Sequence, residues 1–176
     1  MKTRQLLVVL ASGILALVVA LPASALPGDT SATITVAGGS LSITAPTAAG
    51  NLGTRTNTVS GGTISGPLGQ VQVNDARSPA AGSTWVASVI STAFTPTTGT
   101  AIAASAVGYT VGTIAKVGTA TYTANDPADL TGVAPAVTAT GITGDNSATW
   151  NPTINVAVPG GMVATIYYAT ITHSVV

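Results

Sequence analysis

The sequence predicts an all-β protein, and three observations lead to that prediction. Thr, Ala, Gly, Ser and Val dominate the 176 residues, and the β-branched residues Thr and Val favour pleated sheets over helices. Twenty Gly and ten Pro, scattered in short clusters, supply turns and interrupt long helical runs. Short runs of alternating apolar and polar residues recur between these turns, with the period of a half-buried strand.

The first predicted element is a β-hairpin. Residues 31–36 and 40–44 both alternate in polarity, and the Ala-Gly-Gly segment at 37–39 between them is typical of a tight turn. Residues 46–53 are predicted to be a loop. Further strands are predicted, in chain order, at 56–64, 70–74, 83–94, 110–114, 119–123, 136–140, 153–158 and 163–175, with a turn at 124–130.

The strongest strand signal is in residues 83–94, which contain neither Gly nor Pro. One face of this strand carries Trp85, Ala87, Val89 and Ser91, and the opposite face is not uniformly polar either. This pattern predicts a central strand that is covered on much of both sides. Eight to ten strands without an internal repeat or linker predict a single antiparallel two-sheet β-sandwich, immunoglobulin-like, over residues 26–176.

Residues 1–25 are predicted to be a signal peptide. Lys2 and Arg4 precede an apolar run, and Ala23, Ser24 and Ala25 are the small residues that a signal peptidase accepts. We therefore expect a secreted protein that leaves the membrane after cleavage, because no second apolar stretch of that length follows.

The charge of the chain excludes nucleic acid as an expected partner. Only 6% of the residues are charged, and residues 26–176 hold three basic against five acidic side chains. A net charge of −2 does not neutralise a phosphate backbone.

The residues that enzymes need are scarce, so we expect no enzymatic activity, no metal and no cofactor. The chain has no Cys and no Glu, and His173 is its only imidazole. A nucleophile with an oriented base, or a pair of flanking carboxylates, is not evident. Asp126 and Asp129 lie in an Asn-Asp-Pro segment, where turn formation is favoured over calcium binding.

Two segments resemble the WxL domain, a cell-surface module of Gram-positive bacteria. The first runs from Val71 through Asp75 and Arg77 to Trp85, similar to the family's strand, Asp-x-Arg, Gly-rich loop and Trp-x-Leu. The second runs from Trp150 through a Val-Pro pair to the end of the last predicted strand. Together they frame residues 71–175. Ala87 replaces the first Leu, and His173 and Val175 stand where the family has the second Trp and Leu.

The resemblance implies a secreted protein at the cell surface or cell wall that binds peptidoglycan non-covalently, with other surface proteins as further partners. It also implies a set of wall-binding residues: Asp75, Arg77, Trp85, Trp150, Tyr167, Tyr168 and His173. Each has a structural alternative. Trp85 is also typical of a sandwich core anchor, and Asp75 and Arg77 of an ion pair that fixes a loop. Trp150, Tyr167 and Tyr168 are candidates for an aromatic platform under sugar rings, although Tyr167 and Tyr168 must point to opposite faces of a strand.

A second class of function remains open on the same residues. Low charge and many Thr and Gly also suit a structural subunit of a surface layer, spore coat or fimbria-like assembly, built by strand addition. Adhesion to a host or matrix ligand is a third interpretation, because β-sandwiches support many functions.

Overall fold

The protein is built from antiparallel strands, and the all-β prediction is confirmed. The structure is a computed structural model that describes residues 32–176. Within that range the helical structure is a single 3₁₀ turn at Ala104–Ala106. The predicted signal peptide, residues 1–25, lies outside the described residues.

The described residues include no helix with the length and apolar character needed to cross a membrane.

The strands of the described residues are, in chain order, β1 (Leu41–Thr44), β2 (Gly62–Pro67), β3 (Val71–Asp75), β4 (Ser83–Ser91), β5 (Thr95–Pro96), β6 (Val107–Thr110), β7 (Ala115–Ala124), β8 (Ala134–Trp150), β9 (Thr153–Val158), β10 (Tyr167–Tyr168) and β11 (Ile171–Val175).

The longest strand, β8, organises a six-stranded sheet with the order β1-β3-β8-β4-β11. The C-terminal part of β8 pairs with β3 and its N-terminal part pairs with β4. Its other side pairs with β7 along nearly the whole length of that strand. Strands β1 and β11, the outer partners of β3 and β4, also contact each other.

A second layer consists of the three-stranded sheet β2-β9-β6, and β5 pairs with β10 in a separate two-stranded ribbon. Buried apolar side chains from both main sheets form one core. Residues 36–176 form one compact unit. The predicted two-sheet sandwich is therefore confirmed.

Strand β4 shows the predicted burial. Trp85, Ala87, Val89 and Ser91 are buried, and the residues between them are half-buried. The strand lies between β8 and β11, so neighbouring strands occupy both of its edges. Successive side chains of a strand point to opposite faces. The burial pattern of β4 could therefore be predicted without knowing which strands pair with it.

The predicted N-terminal hairpin is wrong. Residues 32–40 form no strand, and β1 pairs with β3, where Leu41 faces Asp75. Gly38 and Gly39 pack directly on the backbone of Ala76 and Arg77, where a Cβ would collide. These glycines allow a close approach between distant segments instead of forming a hairpin turn.

Several other strands differ from their predicted bounds. Strand β2 begins only at Gly62, so most of the predicted strand at 56–64 is not strand. The predicted strand at 110–114 is replaced by β6, which ends at Thr110, and the predicted strand at 163–175 is divided into β10 and β11. Strand β8 extends far beyond the predicted 136–140. It contains Gly141 and Gly144 at positive φ, and it carries more residues than β7 between the paired positions, which makes β-bulges. These glycines are typical of turns, which hid the continuation of the strand.

Candidate functional site

The residues of the first WxL-like segment meet in one buried cluster. Asp75 ends β3, Arg77 follows it, and Trp85 lies in β4. The pairing of β3 and β4 with β8 brings all three next to Asn146. We call this group, with Tyr122 of β7, the Asp75 cluster.

The carboxylate of Asp75 is fully buried and is neutralised within the cluster. Arg77 donates from Nε to Oδ1 at 2.8 Å and from a terminal nitrogen to Oδ2 at 3.0 Å, a two-point contact. Asn146 donates to Oδ2 at 3.2 Å. The hydrogen bonds from Arg77 hold the pKa of Asp75 below its ordinary value. A buried charge is tolerated only when it is paired in this way.

Asn146 links the ion pair to the aromatic side chains. Its Oδ1 accepts from the indole Nε1 of Trp85 at 3.0 Å and from the hydroxyl of Tyr122 at 3.3 Å. The Trp85 and Tyr122 rings lie 5.7 Å apart at a tilted angle. Burial, and secondarily the charge of Asp75, raises the pKa of Tyr122.

Asn146 and Tyr122 are absent from the predicted site. Asn146 follows Gly144 and Asp145, residues that indicate a turn, and no local signal marks it as the partner of residues more than sixty positions away.

Trp85 has the environment of a core anchor. Its side chain is 1% exposed, and its indole N–H is bonded inside the protein. Among the predicted site residues in the Asp75 cluster, Arg77 is the one that solvent reaches, with 37% of its side chain exposed. This places the ion pair and Trp85 in a supporting role beneath the surface.

The second WxL-like segment forms another cluster, which joins the two main sheets. The indole Nε1 of Trp150 in β8 donates to the hydroxyl of Tyr109 in β6 at 2.8 Å. The same hydroxyl lies 3.1 Å from Nε2 of His173 in β11, and the Tyr109 and His173 rings are 5.6 Å apart. We call these three residues the Trp150 cluster.

The Trp150 cluster is uncharged. Burial raises the pKa of the Tyr109 hydroxyl and lowers the pKa of His173, so both favour their neutral forms. Because the Tyr109 oxygen accepts from Trp150, its own proton is available to the neutral imidazole of His173. Tyr109 is also missing from the predicted site, since it falls in a segment with no clear strand pattern.

The proposed aromatic platform is not assembled. Trp150 is 2% exposed and its N–H is already bonded to Tyr109, so its ring offers no face to a ligand. Tyr167 and Tyr168 lie apart in β10, paired with β5. Tyr167 is half-buried and donates its hydroxyl to the carbonyl of Val163 at 3.0 Å. Tyr168 is 64% exposed.

Both tyrosines line an open cleft of about 830 Å³. One wall is the loop at 47–57, the other is the segment at 162–171, and Phe94, Ile102 and Val158 contribute apolar surface between them. The Asn57 amide donates to the carbonyl of Met162 and so connects the walls. We call this the tyrosine cleft. Its one cationic side chain is Arg55, which donates to the carbonyl of Gly61 and to Thr58.

The candidate calcium residues accept hydrogen bonds from backbone amides. Asp126 accepts from the amide of Val111 at 2.7 Å, and Asp129 accepts from the amide of Thr131 at 2.8 Å. No group of three metal-ligating side chains occurs in the part of the chain that the structure describes. The Asp129 contact is local and fits the turn-forming role favoured by the sequence, whereas Asp126 binds a backbone amide fifteen residues earlier in the chain.

No protein-family model, curated protein or solved structure matches this chain. The resemblance to the WxL domain therefore stays a prediction.

Proposed function

We propose that this chain is an exported, non-enzymatic protein that binds bacterial peptidoglycan non-covalently through the tyrosine cleft. The observation that carries the proposal is the position of Tyr168, an exposed aromatic side chain on the wall of an open cleft that polar and apolar side chains and one cationic side chain also line. One wall of the cleft, residues 162–171, belongs to the second WxL-like segment, and the opposite wall lies outside it.

The chemistry of the cleft suits a glycan. Sugar rings present apolar C–H faces that pack on an aromatic ring, and tyrosine offers both an apolar face and a polar hydroxyl. Asn51, Thr54 and Thr165 line the same cleft and supply amide and hydroxyl groups for sugar hydroxyls. Arg55 retains unbonded N–H donors for the carboxylates that peptidoglycan carries.

The Trp150 cluster supports this cleft from within. His173 holds β11 against Tyr109 and Trp150, and β11 follows β10 after two residues. The backbone amide and carbonyl of Thr170 bond to Thr92, which fixes the connection between the two strands. We therefore assign Trp150 to positioning the binding surface and Trp85 to the core of the six-stranded sheet, instead of to contact with the wall.

Co-sedimentation with purified cell-wall sacculi tests the proposal. The chain is expressed from its full coding sequence in an exporting host and purified in the form that the host produces. Saturable binding is expected, with at least a fivefold weaker apparent affinity for Tyr168→Ala, since stacking on one aromatic ring is worth about 1 kcal/mol or more. Val117→Ala, an exposed apolar side chain of β7 outside the cleft, is the matched control.

Absence of binding by the folded wild type, or equal losses for Tyr168→Ala and Val117→Ala, would remove the assignment. A circular dichroism spectrum of each variant separates lost binding from lost folding.

A structural subunit of a surface assembly is the second candidate, and one observation favours it. Strand β7 has an exposed outer side that pairs with no other named strand in residues 32–176. Strand addition at such an edge is a common way for β proteins to associate.

A further inference from the structure

Arg55 is the one charged side chain among the described residues that line the tyrosine cleft. The ion pair that residues 32–176 contain is the one between Arg77 and Asp75, so Arg55 has no carboxylate partner in this part of the chain. The acidic side chains of the same range lie outside the cleft: Asp75, Asp126, Asp129 and Asp145. The guanidinium of Arg55 therefore belongs to an otherwise neutral cleft.

The turn before β2 holds this guanidinium in place. Its Nη2 donates to the hydroxyl of Thr58 at 3.3 Å and to the carbonyl of Gly61, and the Thr58 hydroxyl donates to the same carbonyl at 3.0 Å. The guanidinium also lies so close to Gly62 that a Cβ there would collide with it. Nε and Nη1 have no partner among the described residues. Arg55 is thus a positioned cation that keeps N–H donors for an anion, and positioning before binding lowers the entropy cost.

Apolar surface lies beside the guanidinium. Gly62 pairs with Val158 of β9, and Val158 lines the cleft. Two residues after Arg55, the Asn57 amide donates to the carbonyl of Met162 on the opposite wall. Arg55 therefore lies near the place where the two walls of the cleft are connected. A ligand whose anionic group binds Arg55 meets an apolar side chain next to that group.

We infer that the wall at 47–57 binds the peptide stem of peptidoglycan through the free carboxylate of a small apolar residue, with Arg55 as the anion-binding side chain. This inference rests on the proposed function and names the part of the polymer that each wall contacts. Tyr168, on the opposite wall, contacts a sugar ring. In peptidoglycan the lactyl carboxyl of the sugar forms the amide bond to the stem, so the free carboxylates of the intact polymer lie on the peptide.

Arg55 then determines which polymers the cleft retains. A neutral polysaccharide offers a sugar ring to Tyr168 but no anion to Arg55, whereas a stem and the sugar that carries it contact both walls. Arg55 is exposed, and salt screens exposed charges. The contribution of Arg55 to binding should therefore decrease as salt is added, while the contribution of Tyr168 should not.

Titration with N-acetyl-D-alanyl-D-alanine and with its C-terminal amide tests the inference. The two probes differ in the terminal group alone, and neither contains a sugar. The protein is the full chain, again purified as the exporting host produces it. We expect the acid to bind about tenfold more tightly than the amide, because the amide loses charge-assisted hydrogen bonds to Arg55. Chemical-shift changes in NMR spectra at pH 7 measure both affinities at low salt.

Two glutamine variants locate the preference for the acid. Arg55→Gln should lower the affinity for the acid to that for the amide. Lys116→Gln, which removes one positive charge from an exposed side chain outside the cleft, is the matched control and should keep the preference. Tyr168→Ala should also keep it, because the probes contain no sugar. Failure of the acid to bind, equal affinities of the acid and the amide for the wild type, or equal losses in the two glutamine variants would overturn the inference.

Amidase-treated sacculi separate the two sources of a carboxylate. The amidase removes the stems and leaves glycan strands with free lactyl carboxylates. Intact sacculi should bind the wild type more tightly than treated sacculi, and Arg55→Gln should bind both alike. Equal binding of the wild type to both materials would overturn the assignment to the stem. If neither material binds but the acid is still preferred, the proposed function fails and recognition of a peptide carboxylate stands. If intact sacculi bind without a preference for the acid, the inference fails and the proposed function stands.

Discussion

The Asp75 cluster and the Trp150 cluster both place a tryptophan N–H against a buried polar partner, but they differ in charge and position. The Asp75 cluster contains an ion pair and connects strands of the six-stranded sheet. The Trp150 cluster contains neutral groups and connects that sheet to β6 of the three-stranded sheet. The comparison teaches that the two WxL-like segments stabilise different levels of the fold: strand pairing in one case, sheet packing in the other.

The largest expected effect comes from replacing one member of the Asp75–Arg77 ion pair, and the two replacements should differ. Arg77→Ala leaves the carboxylate of Asp75 without its main partner, which should lower the free energy of unfolding by about 2–3 kcal/mol, because Asn146 still donates to it and water reaches the vacated position of Arg77. Asp75→Asn should cost less, because the remaining Arg77 is partly exposed and is reached by water. Urea denaturation measures both changes.

The double variant Arg77→Ala/Asp75→Asn is the control for this prediction. Its loss should be smaller than the sum of the single losses, because it leaves no unpaired charge. A larger effect for Asp75→Asn than for Arg77→Ala would contradict the assignment of Asp75 as the buried charge.

A matched pair of hydroxyl deletions compares the clusters directly. Tyr109→Phe removes the group that accepts from Trp150 and contacts His173, so two buried partners lose a hydrogen bond. A loss of about 1–3 kcal/mol is expected. Tyr122→Phe removes one of the two donors to Asn146 at a half-buried position, and about 1 kcal/mol or less is expected. Equal losses in thermal or urea unfolding would show that the two clusters do not differ in this respect.

The smallest expected effect is that the two clusters lose their contributions to stability in different pH ranges. Burial lowers the pKa of His173, so between that lowered value and the ordinary value of 6.5 the unfolded chain binds more protons than the folded one. The contribution of neutral His173 to the free energy of unfolding should therefore be fully present above pH 6.5. It should be lost progressively as the pH falls below that value. Asp75 has a lowered pKa, so its contribution should be present above its ordinary 3.8 and lost only below that value.

Unfolding measured from pH 7.5 to pH 5 checks this order. His173→Gln should remove the decrease between pH 6.5 and 5, because the chain has no other His. Asp75→Asn should leave the decrease in place. A slope that survives in His173→Gln would assign the pH dependence to another group.

Local patterns in the sequence were sufficient for several parts of the fold. The alternation of β4 and the bounds of β9 followed from a period of two and from adjacent turn residues. Asp75 and Arg77 are two positions apart, so their contact was also accessible to local reasoning. The scarcity of Glu, Cys and His shaped the expectation of a non-enzymatic protein before any fold was known.

Tertiary structure alone decided which segments meet. Residues far apart in the chain meet in the pairing of β1 with β3 and in the contacts of Asn146 and Tyr109. The continuation of β8 through two glycines likewise could not be predicted from its own residues. It also decided that both tryptophans are buried, that Tyr168 is exposed on a cleft and that β7 keeps an open edge. The physical reason is that strand periodicity is a property of neighbouring residues, whereas strand partners depend on how the whole chain closes around one core.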